Sequence, residues 1–456
     1  MTIRSVHVVG YPRTRWLAAV GLLLAAFACS ADTDKAPRNL ILMIGDGMGF
    51  GQISAYRQFA DDPATATTEA TVFDDMLIGT VATRPHDSSE HITDSAAAAT
   101  AYACGLRTHN GAIGMDSEQR PCTTVLDVAR QRGKRTGIVV TSQLTHATPA
   151  AFYAHVPSRK QIAEIASQFW RGDQPAADLT LGGGADDFPT PLRLQMQEAG
   201  VNVIATRAQL QTLSSLPAFG TFHNDGLPMA IDQQRDTPSL AEMTTTALRL
   251  LDNDQAGFFL LIEGSQIDWA SHANDIVGTL SEMGSFADSI ALAKAFVATH
   301  PDTLLIVTAD HETGGLSLGR DKQSLWRHAL LRDIHASALG MARRVLAGAD
   351  PVTVLQQLSP IVLDDADRKR LQRSKRDEAA LEAVFADIVA KHSLTGWTTR
   401  GHTGADVPLY AIGAGRDRLR GHHDNAWLGQ QLLQFINADD NRHAHHSTSS
   451  RKEQLP

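Results

Sequence analysis

Short apolar runs alternate with helical patterns along most of the chain. Four runs of five or six residues predict strands: Asn39 to Ile44, Gly137 to Thr141, Gly257 to Ile262 and Thr303 to Thr308. The stretches between them have the periodicity of helices. Strands that are apolar throughout are typical of a parallel sheet covered on both faces. The pattern therefore predicts a doubly wound α/β fold with a mostly parallel central sheet and helices on both faces.

Two segments depart from this alternation. Residues 320–395 are rich in Ala, Leu, Arg and Asp and have few strand formers, so they predict a helical insertion that acts as a cap or an interface element. Residues 437–456 are polar and predict a disordered tail. Its cluster of His443, His445 and His446 could bind a metal ion weakly, although a solvated tail is the favoured interpretation. Residues 39–436 then form one large domain that contains the insertion.

The N-terminus has the pattern of an export signal. Its positive residues are Arg4, Arg13 and Arg15. The apolar run Trp16 to Phe27 and the small-x-small site at 26–28 follow. Because the run is short for a membrane span, a signal peptide over residues 1–28 is favoured over an uncleaved anchor.

Cys29 follows this predicted cleavage site directly, at the start of a linker that we place at residues 29–38. A cysteine at that place resembles a bacterial lipoprotein signal, although Ala26 stands where an aliphatic residue is usual. Two interpretations remain open: a periplasmic or outer-membrane lipoprotein anchored through Cys29, and a freely secreted protein. Both place the mature protein outside the cytoplasm.

Composition and charge restrict the possible partners. The chain is 43% apolar and 20% charged, which is ordinary for a soluble globular enzyme. A formal net charge of -9 without a basic stripe argues against a nucleic-acid partner.

Cys104 and Cys122 could pair in an oxidising compartment. Cys104 falls in a predicted buried helix, where a free thiol behaves as a small hydrophobe, so the unpaired state is favoured.

Acidic, imidazole and hydroxyl side chains stand at the ends of the four predicted strands. They are Asp46 after the first strand, His146 and Thr148 after the second, Glu263 at the end of the third, and Asp310 with His311 after the fourth. Ligands of open α/β sheets bind at the carboxyl ends of the strands. Asp46 alone would equally mark a tight turn, but converging carboxylates repel one another unless cations lie between them. This mixture of ligands predicts zinc and magnesium rather than calcium.

Three further residues complete a second predicted ligand set. Asp268 and His272 are four residues apart, so on a helix they share one face and can hold one ion, although alone they would read as a surface pair. His402 precedes a strand-like run at Val407 to Ile412 and would alone be a structural loop histidine. Together they form a set of two histidines and one aspartate that leaves a coordination position open for substrate or water.

Ser95 is the candidate nucleophile. It begins an alanine-rich run, 95–101, that predicts a helix. Taken alone, Ser95 reads as a helix N-cap. A helix N-terminus also stabilises an alkoxide and a phosphoryl group, and a serine hydroxyl needs a base or a metal to activate it. Arg159, a surface arginine by default, could grip two phosphate oxygens.

Six stretches of the chain resemble the alkaline phosphatases, and they stand in the family's order. They are Ile44-Gly-Asp-Gly-Met-Gly49, Thr93-Asp-Ser-Ala-Ala97, Ala147-Thr-Pro-Ala150, Glu263-Gly264 with Asp268 and His272, Thr308-Ala-Asp-His-Glu312 and Gly401-His-Thr-Gly404. They span residues 39 to about 415. The resemblance implies hydrolysis of phosphate monoesters through a phosphoserine at Ser95, a preference for alkaline pH, and a homodimer.

The resemblance also implies a role for each candidate residue. The ligands of the first zinc would be Asp268, His272 and His402. Those of the second zinc would be Asp46, Asp310 and His311. A third site, for magnesium or a third zinc, would take Asp46, Thr148 and Glu263, with His146 beside them. Arg159 would clamp the phosphate and Asp94 would orient it.

Two positions depart from the best-known bacterial members. His146 and Trp269 stand where those members have an aspartate and a lysine, which leaves the ion of the third site open. Two other functions also stay open: a phosphodiesterase or sulfatase with the same metal core, and a non-catalytic surface lipoprotein that binds phosphate or metal. The sequence does not predict the physiological substrate.

Overall fold

A computed structural model describes residues 36–87, 89–252 and 256–438. Its strands are β1 Asn39–Gly45, β2 Leu77–Ala82, β3 Arg135–Gln143, β4 Trp170–Arg171, β5 Gln174–Pro175, β6 Leu179–Gly183, β7 Asn202–Ile204, β8 Ala218–Thr221, β9 Phe258–Gly264, β10 Thr303–Thr308, β11 Glu312–Thr313, β12 Ser317–Leu318, β13 Thr395–Gly396, β14 His402–Thr403, β15 Val407–Gly413 and β16 Gly421–Asp424.

The helices lie between these strands. They are α1 Phe50–Ala60, α2 Ser95–Cys104, α3 Val125–Gln131, α4 Ala147–Ala151, α5 Ile162–Gln168, α6 Thr190–Glu198, α7 Arg207–Thr212, α8 Leu240–Leu251, α9 Gln266–His272, α10 Ile276–Thr299, α11 His328–Leu331, α12 Ala338–Leu346, α13 Pro351–Leu358, α14 Asp365–Arg373, α15 Glu378–Ser393 and α16 Asn425–Asn437. Short 3-10 helices lie at Ala185–Asp187, Ala230–Asp232 and Arg416–Leu419.

A ten-stranded sheet forms the centre of the molecule, in the order β16-β2-β15-β10-β1-β9-β3-β6-β8-β7. Only β15 runs against its neighbours in this sheet; the other pairings are parallel. Every residue of β1, β9 and β10 is buried, as continuous apolar runs require when helices cover both faces. The predicted fold class, a mostly parallel α/β sheet flanked by helices, is confirmed.

Strand register brings the ends of four strands together. Ile44 of β1 pairs with Glu263 of β9 on one side and with Thr308 of β10 on the other. Val140 of β3 pairs with Glu263 from the far side of β9. Because these four strands are parallel and end at the same level, the residues that follow them meet at one edge of the sheet.

Helices α11 to α15 carry the insertion, and they pack around a hydrophobic core separate from that of the sheet. Leu355, Leu381 and Phe385 are fully buried in it. Three acidic residues lie on or beside α10 and the 3-10 helix Ala230–Asp232, two of them bonded to the insertion, and we call them the insertion dock: Asp232, Asp275 and Glu282.

Backbone N–H groups hold each carboxylate of the insertion dock. Asp232 accepts hydrogen bonds from the backbone N–H (3.2 Å) and hydroxyl of Ser337. Asp275 accepts from the N–H groups of Val277 at 3.0 Å and Ala338 at 2.7 Å. Glu282 accepts from the N–H of Ala230 at 2.6 Å, next to Asp232.

Cys104 and Cys122 form a disulfide, with their Cα atoms 6.0 Å apart. The expectation of unpaired thiols is therefore wrong. Cys104 is the last residue of α2, and Gly105 follows in the left-handed region with φ 68°. The chain thus turns away from the helix at Cys104, which leaves this thiol within reach of Cys122 rather than enclosed in a helix interior.

Some predictions concern residues outside the described part of the chain. They include the signal peptide at 1–28, Cys29 and the histidines of the C-terminal tail. Within the described ranges, no helix is both long enough and apolar enough to cross a membrane.

Candidate active site

The sheet delivers the predicted ligands to one place. Asp46 directly follows β1, Glu263 is the penultimate residue of β9, and Asp310 and His311 follow β10. Asp46, Glu263, Asp310 and His311 are 0% exposed. His146, which precedes α4, completes the set from β3. The strand ends therefore bring these residues to one edge of the sheet.

The first predicted ligand set is brought together by α9 and the turn at β14. His272 Nε2 lies 3.3 Å from Asp268 Oδ2 and 3.1 Å from His402 Nε2. Each imidazole is held at its other nitrogen, since His272 Nδ1 lies 2.6 Å from the Arg400 carbonyl and His402 Nδ1 lies 2.9 Å from the Thr93 carbonyl. These contacts leave Nε2 of both rings free to bind a metal.

The second predicted set surrounds His311. Its Nε2 lies 3.2 Å from Asp310 Oδ2 and 3.6 Å from Asp46 Oδ1. Ligand atoms of Asp46, Asp310 and His311 all lie within 4.8 Å of one another. His311 also belongs to a second such group with Asp268 and His402, and its ring stacks on that of His402 with centroids 3.5 Å apart. The two sets are therefore adjacent, with His311 between them.

A third group consists of Asp46, His146 and Glu263, whose ligand atoms also lie within 4.8 Å of one another. Glu263 Oε2 accepts a hydrogen bond from Ser265 at 2.6 Å, which leaves Oε1 facing the group. Thr148 is 0% exposed. These are the residues predicted for the third site.

The hydrogen-bond inventory shows that these groups fit divalent cations. Among the described residues, several buried side-chain atoms at this edge have no hydrogen-bond partner. They are both carboxylate oxygens of Asp46, Asp310 Oδ2, Glu263 Oε1, Thr148 Oγ1 and His146 Nδ1. An unpaired buried polar atom costs about 1–3 kcal/mol, and more when it is charged. Oxygen and imidazole ligands of this kind are the donors that zinc and magnesium prefer.

Electrostatics support the same conclusion. Burial, followed by the charges of three neighbouring carboxylates, raises the pKa of Asp46 well above its usual range. Burial also raises the pKa of Glu263 to about 7. Asp268 is the exception: burial raises its pKa, but the hydrogen bond from His272 and the charges of three histidines together outweigh burial and lower the pKa. Carboxylates that repel one another in this way are stabilised as anions by a bound cation.

Ser95 is the first residue of α2 and is buried beside the second set, with Oγ 3.2 Å from His311 Nε2. The interpretation of Ser95 as a helix N-cap is wrong. Asp94 is the N-cap, and its Oδ1 accepts the N–H of Ala97 at 2.9 Å. The hydroxyl of Ser95 therefore has no capping role and is directed at the ligand cluster.

Arg159 extends toward the same place. Its Nη1 donates to Asp94 Oδ2 at 3.1 Å, and its Nη2 lies 3.1 Å from His146 Nε2. Burial and then the charge of Arg159 lower the pKa of His146 to about 3, so this imidazole is neutral. The guanidinium thus contacts the residue that directly precedes Ser95.

Comparison with known proteins agrees with this geometry. The family profile described as alkaline phosphatase matches residues 37–438. Alkaline phosphatase 3 of Bacillus subtilis is 38% identical over 88% of this chain and 89% of its own length. The chain belongs to the alkaline phosphatase family.

Solved alkaline phosphatases share the fold. The cold-active enzyme of a Shewanella species has a TM-score of 0.82 at 39% identity, over 87% of this chain and 99% of that one. A variant of the TAB5 alkaline phosphatase, with magnesium bound in a site called M3, has a TM-score of 0.66 at 26% identity, over 88% and 99%. The family resemblance and the enzyme class predicted from the sequence are confirmed.

The structure adds residues of this alkaline phosphatase that the sequence reasoning missed. Thr313 Oγ1 donates to Asp268 Oδ1 at 2.5 Å and lies 3.2 Å from His311 Nδ1. Glu312 accepts from the N–H of Gly315 at 3.0 Å and from the hydroxyl of Thr403, next to His402. Glu312 and Thr313 are the two residues after His311. Polar residues directly after a predicted ligand could have indicated that they support the ligands.

Proposed function

We propose that the chain hydrolyses phosphate monoesters in two in-line displacements, with a phosphoserine at Ser95 as the intermediate. The position of the Ser95 hydroxyl supports this most directly: it lies at the N-terminus of α2, 3.2 Å from His311 and among three groups of metal ligands. A phosphoryl group on that oxygen would be stabilised by the helix N-terminus.

The residues present suit two zinc ions and one magnesium ion. Zinc would bind the histidine-containing sets, namely Asp268, His272 and His402, and Asp46, Asp310 and His311. Magnesium would bind the oxygen-rich group of Asp46, Thr148 and Glu263, where His146 also permits zinc. Bound there, the ions would supply positive charge for the attacking and leaving oxygens.

The bonds formed and broken are balanced over the two steps. In the first, Ser95 Oγ bonds to phosphorus as the bond to the alcohol oxygen breaks, and the proton lost by Ser95 is balanced by the one that the departing alcohol gains. In the second, a water oxygen bonds to phosphorus, the bond to Ser95 Oγ breaks, and one proton of the water replaces the proton that serine lost. Arg159 would bind two phosphate oxygens in both steps, with Asp94 holding the guanidinium.

Trapping and substitution test this proposal. Replacing Ser95 with Ala should lower turnover of nitrophenyl phosphate roughly 10³-fold or more while the metal content stays unchanged. Mass spectrometry of acid-quenched protein should find phosphate on Ser95. Ser289→Ala is a matched control, because Ser289 is a fully buried helical serine of α10 whose hydroxyl donates to the Ser285 carbonyl at 3.0 Å. If Ser95→Ala retains activity, the assignment of Ser95 as the nucleophile is wrong.

Reaction class can be separated in the same assay. A phosphomonoesterase should hydrolyse nitrophenyl phosphate much faster than the bis-ester or the sulfate, because Arg159 suits a terminal phosphate with two free oxygens. Faster turnover of the diester or the sulfate would favour the related metallohydrolases. Phosphate binding without turnover of any ester would indicate a binding protein.

We also propose that the protein is exported, periplasmic or secreted, and that it forms a homodimer. The disulfide between Cys104 and Cys122 supports an oxidising compartment. Mass spectrometry of the mature N-terminus distinguishes a lipidated Cys29 from a free one. Light scattering of the purified protein tests the dimer.

A further inference from the structure

A two-residue turn, Asn110-Gly111, lies against the site without contributing a ligand. It follows α2 in the chain and precedes a bridge between Ile113 and Val156. Asn-Gly is a strong turn signal, and Gly111 has φ +84°, a conformation that glycine adopts without strain. The turn therefore holds a fixed shape between the segment of Ser95 and the segment of Arg159.

The side chain of Asn110 fastens the segment before the nucleophile. Its Oδ1 accepts the backbone N–H of Asp94 at 2.9 Å. Its Nδ2 donates to the Ile92 carbonyl at 3.0 Å and to Glu90 Oε2 at 2.6 Å. The orientation of the amide is unambiguous, because its oxygen faces a donor and its nitrogen faces two acceptors. One side chain thus fixes residues 90–94 up to the start of α2.

The backbone of Gly111 fastens the phosphate clamp. Its N–H donates to Asp94 Oδ2 at 3.0 Å, the oxygen that also accepts from Arg159 Nη1 at 3.1 Å. Its carbonyl accepts the backbone N–H of Arg159 at 2.7 Å. Gly111 therefore holds Arg159 in two ways: directly through the Arg159 backbone, and through Asp94 at the guanidinium.

We propose that Asn110 is a positioning residue, which sets the distance between the Ser95 hydroxyl and the Arg159 guanidinium through Asp94. The role rests on the proposed function of Ser95 and Arg159. Neither Asn110 nor Gly111 touches a ligand set, and the contacts of the turn join the two catalytic groups rather than the metals. Loss of the amide would let Asp94 and Arg159 shift together, and misplacement by about 1 Å can cost on the order of 100-fold in rate.

The test is a double-mutant cycle on the purified, metal-loaded protein, with the Kd of inorganic phosphate as the main readout. Asn110→Ala should raise that Kd about tenfold and lower kcat/KM for nitrophenyl phosphate by a similar factor, with metal content unchanged. In an Arg159→Ala background, Asn110→Ala should change the Kd less than twofold, because the group that it positions is gone.

A second variant keeps the proposal testable if Asn110→Ala does not fold. Asn110→Asp keeps the acceptor for the Asp94 N–H but sets a carboxylate against Glu90, so it should also weaken phosphate binding. Adding Glu90→Gln supplies a donor to that carboxylate and should recover part of the loss, since the Ile92 carbonyl still lacks the amide donor.

The matched control is Asn202→Ala on the edge strand β7. Asn202 Nδ2 donates to the carbonyls of Ser215 at 3.1 Å and Pro217 at 3.0 Å, so its amide also ties a loop, but far along the sheet from the site. It should leave the Kd of phosphate unchanged. Equal effects of Asn110→Ala with and without Arg159 would overturn the positioning role. Coupling without turnover of any ester would reject the proposed function and retain only the positioning of Arg159 for phosphate binding.

Discussion

Two clusters of buried or half-buried acids in this molecule have opposite surroundings. In the insertion dock, Asp232, Asp275 and Glu282 accept hydrogen bonds from backbone N–H groups. At the strand ends, neither oxygen of Asp46 has a hydrogen-bond partner within the described part of the chain, and Oδ2 of Asp310 has none there either. The two clusters thus differ in whether hydrogen-bond donors surround the carboxylates.

The difference separates structural acids from metal ligands. N–H donors offset part of the cost of burying the carboxylates of the insertion dock, so these acids have hydrogen-bond partners without a cation. Carboxylates that lack donors and face one another repel one another until cations bind them, so the strand-end cluster favours metal binding. The comparison predicts that the same substitution has opposite effects on stability in the two clusters.

The largest effect is expected for Asp46→Asn. Removing a charge from the strand-end cluster should lower turnover at least about 100-fold, because Asp46 belongs to two of the ligand groups. In a chelated sample it should raise the free energy of unfolding by about 1–3 kcal/mol, because the repulsion from the neighbouring carboxylates is relieved. Urea unfolding with and without chelator measures both. A loss of stability in the chelated protein would contradict the proposed repulsion.

A smaller effect of opposite sign is expected for Asp232→Asn in the insertion dock. The neutral amide is a weaker acceptor than the carboxylate for the N–H and hydroxyl of Ser337, so the substitution should lower the free energy of unfolding by about 1 kcal/mol. Turnover should stay within twofold of wild type, since Asp232 is outside all three ligand groups. Urea unfolding and a nitrophenyl phosphate assay on one preparation check it. A loss of turnover at full stability would assign the dock to the active site instead.

The smallest effect concerns pH and Glu282. Burial raises the pKa of Glu282 from 4.5 to about 7, so the folded state binds more protons than the unfolded state between these values. The contribution of Glu282 to stability is therefore complete below pH 4.5, falls as the pH rises to about 7, and is constant above it. Glu282→Gln should flatten this part of the stability profile. Unfolding midpoints at pH 5 and pH 8 measure the change, and an unchanged slope would rule Glu282 out as its source.

The central sheet and most of the site could be predicted because both depend on local sequence. Apolar runs define β1, β9 and β10, and the strand-end rule then places Asp46, Glu263 and Asp310 together. The spacing of Asp268 and His272 was likewise sufficient, since α9 is a helix. Each of these inferences needs only the residues within one element and one rule of topology.

Other features depend on contacts between distant segments and could not be predicted. The pairing of Cys104 with Cys122 requires the turn that ends α2. The position of His311 between two ligand groups follows from the approach of β14 to β11, which pairs Thr313 with His402. The contacts of Asn110 link segments whose relation appears only after folding. Sequence patterns identify donors and acceptors, but the tertiary structure chooses the pairs.

The contact of His402 with the Thr93 carbonyl joins residues 309 positions apart. An incomplete chain released from the ribosome cannot make it, nor can it gather ligands that come from both ends of the domain. Contacts of such long range also slow folding, because the chain loses the entropy of loop closure before the contacts stabilise it. Catalytic competence is therefore expected to arise all at once, after the C-terminal third has joined the sheet, and a proteolytic fragment that lacks β14 should have none.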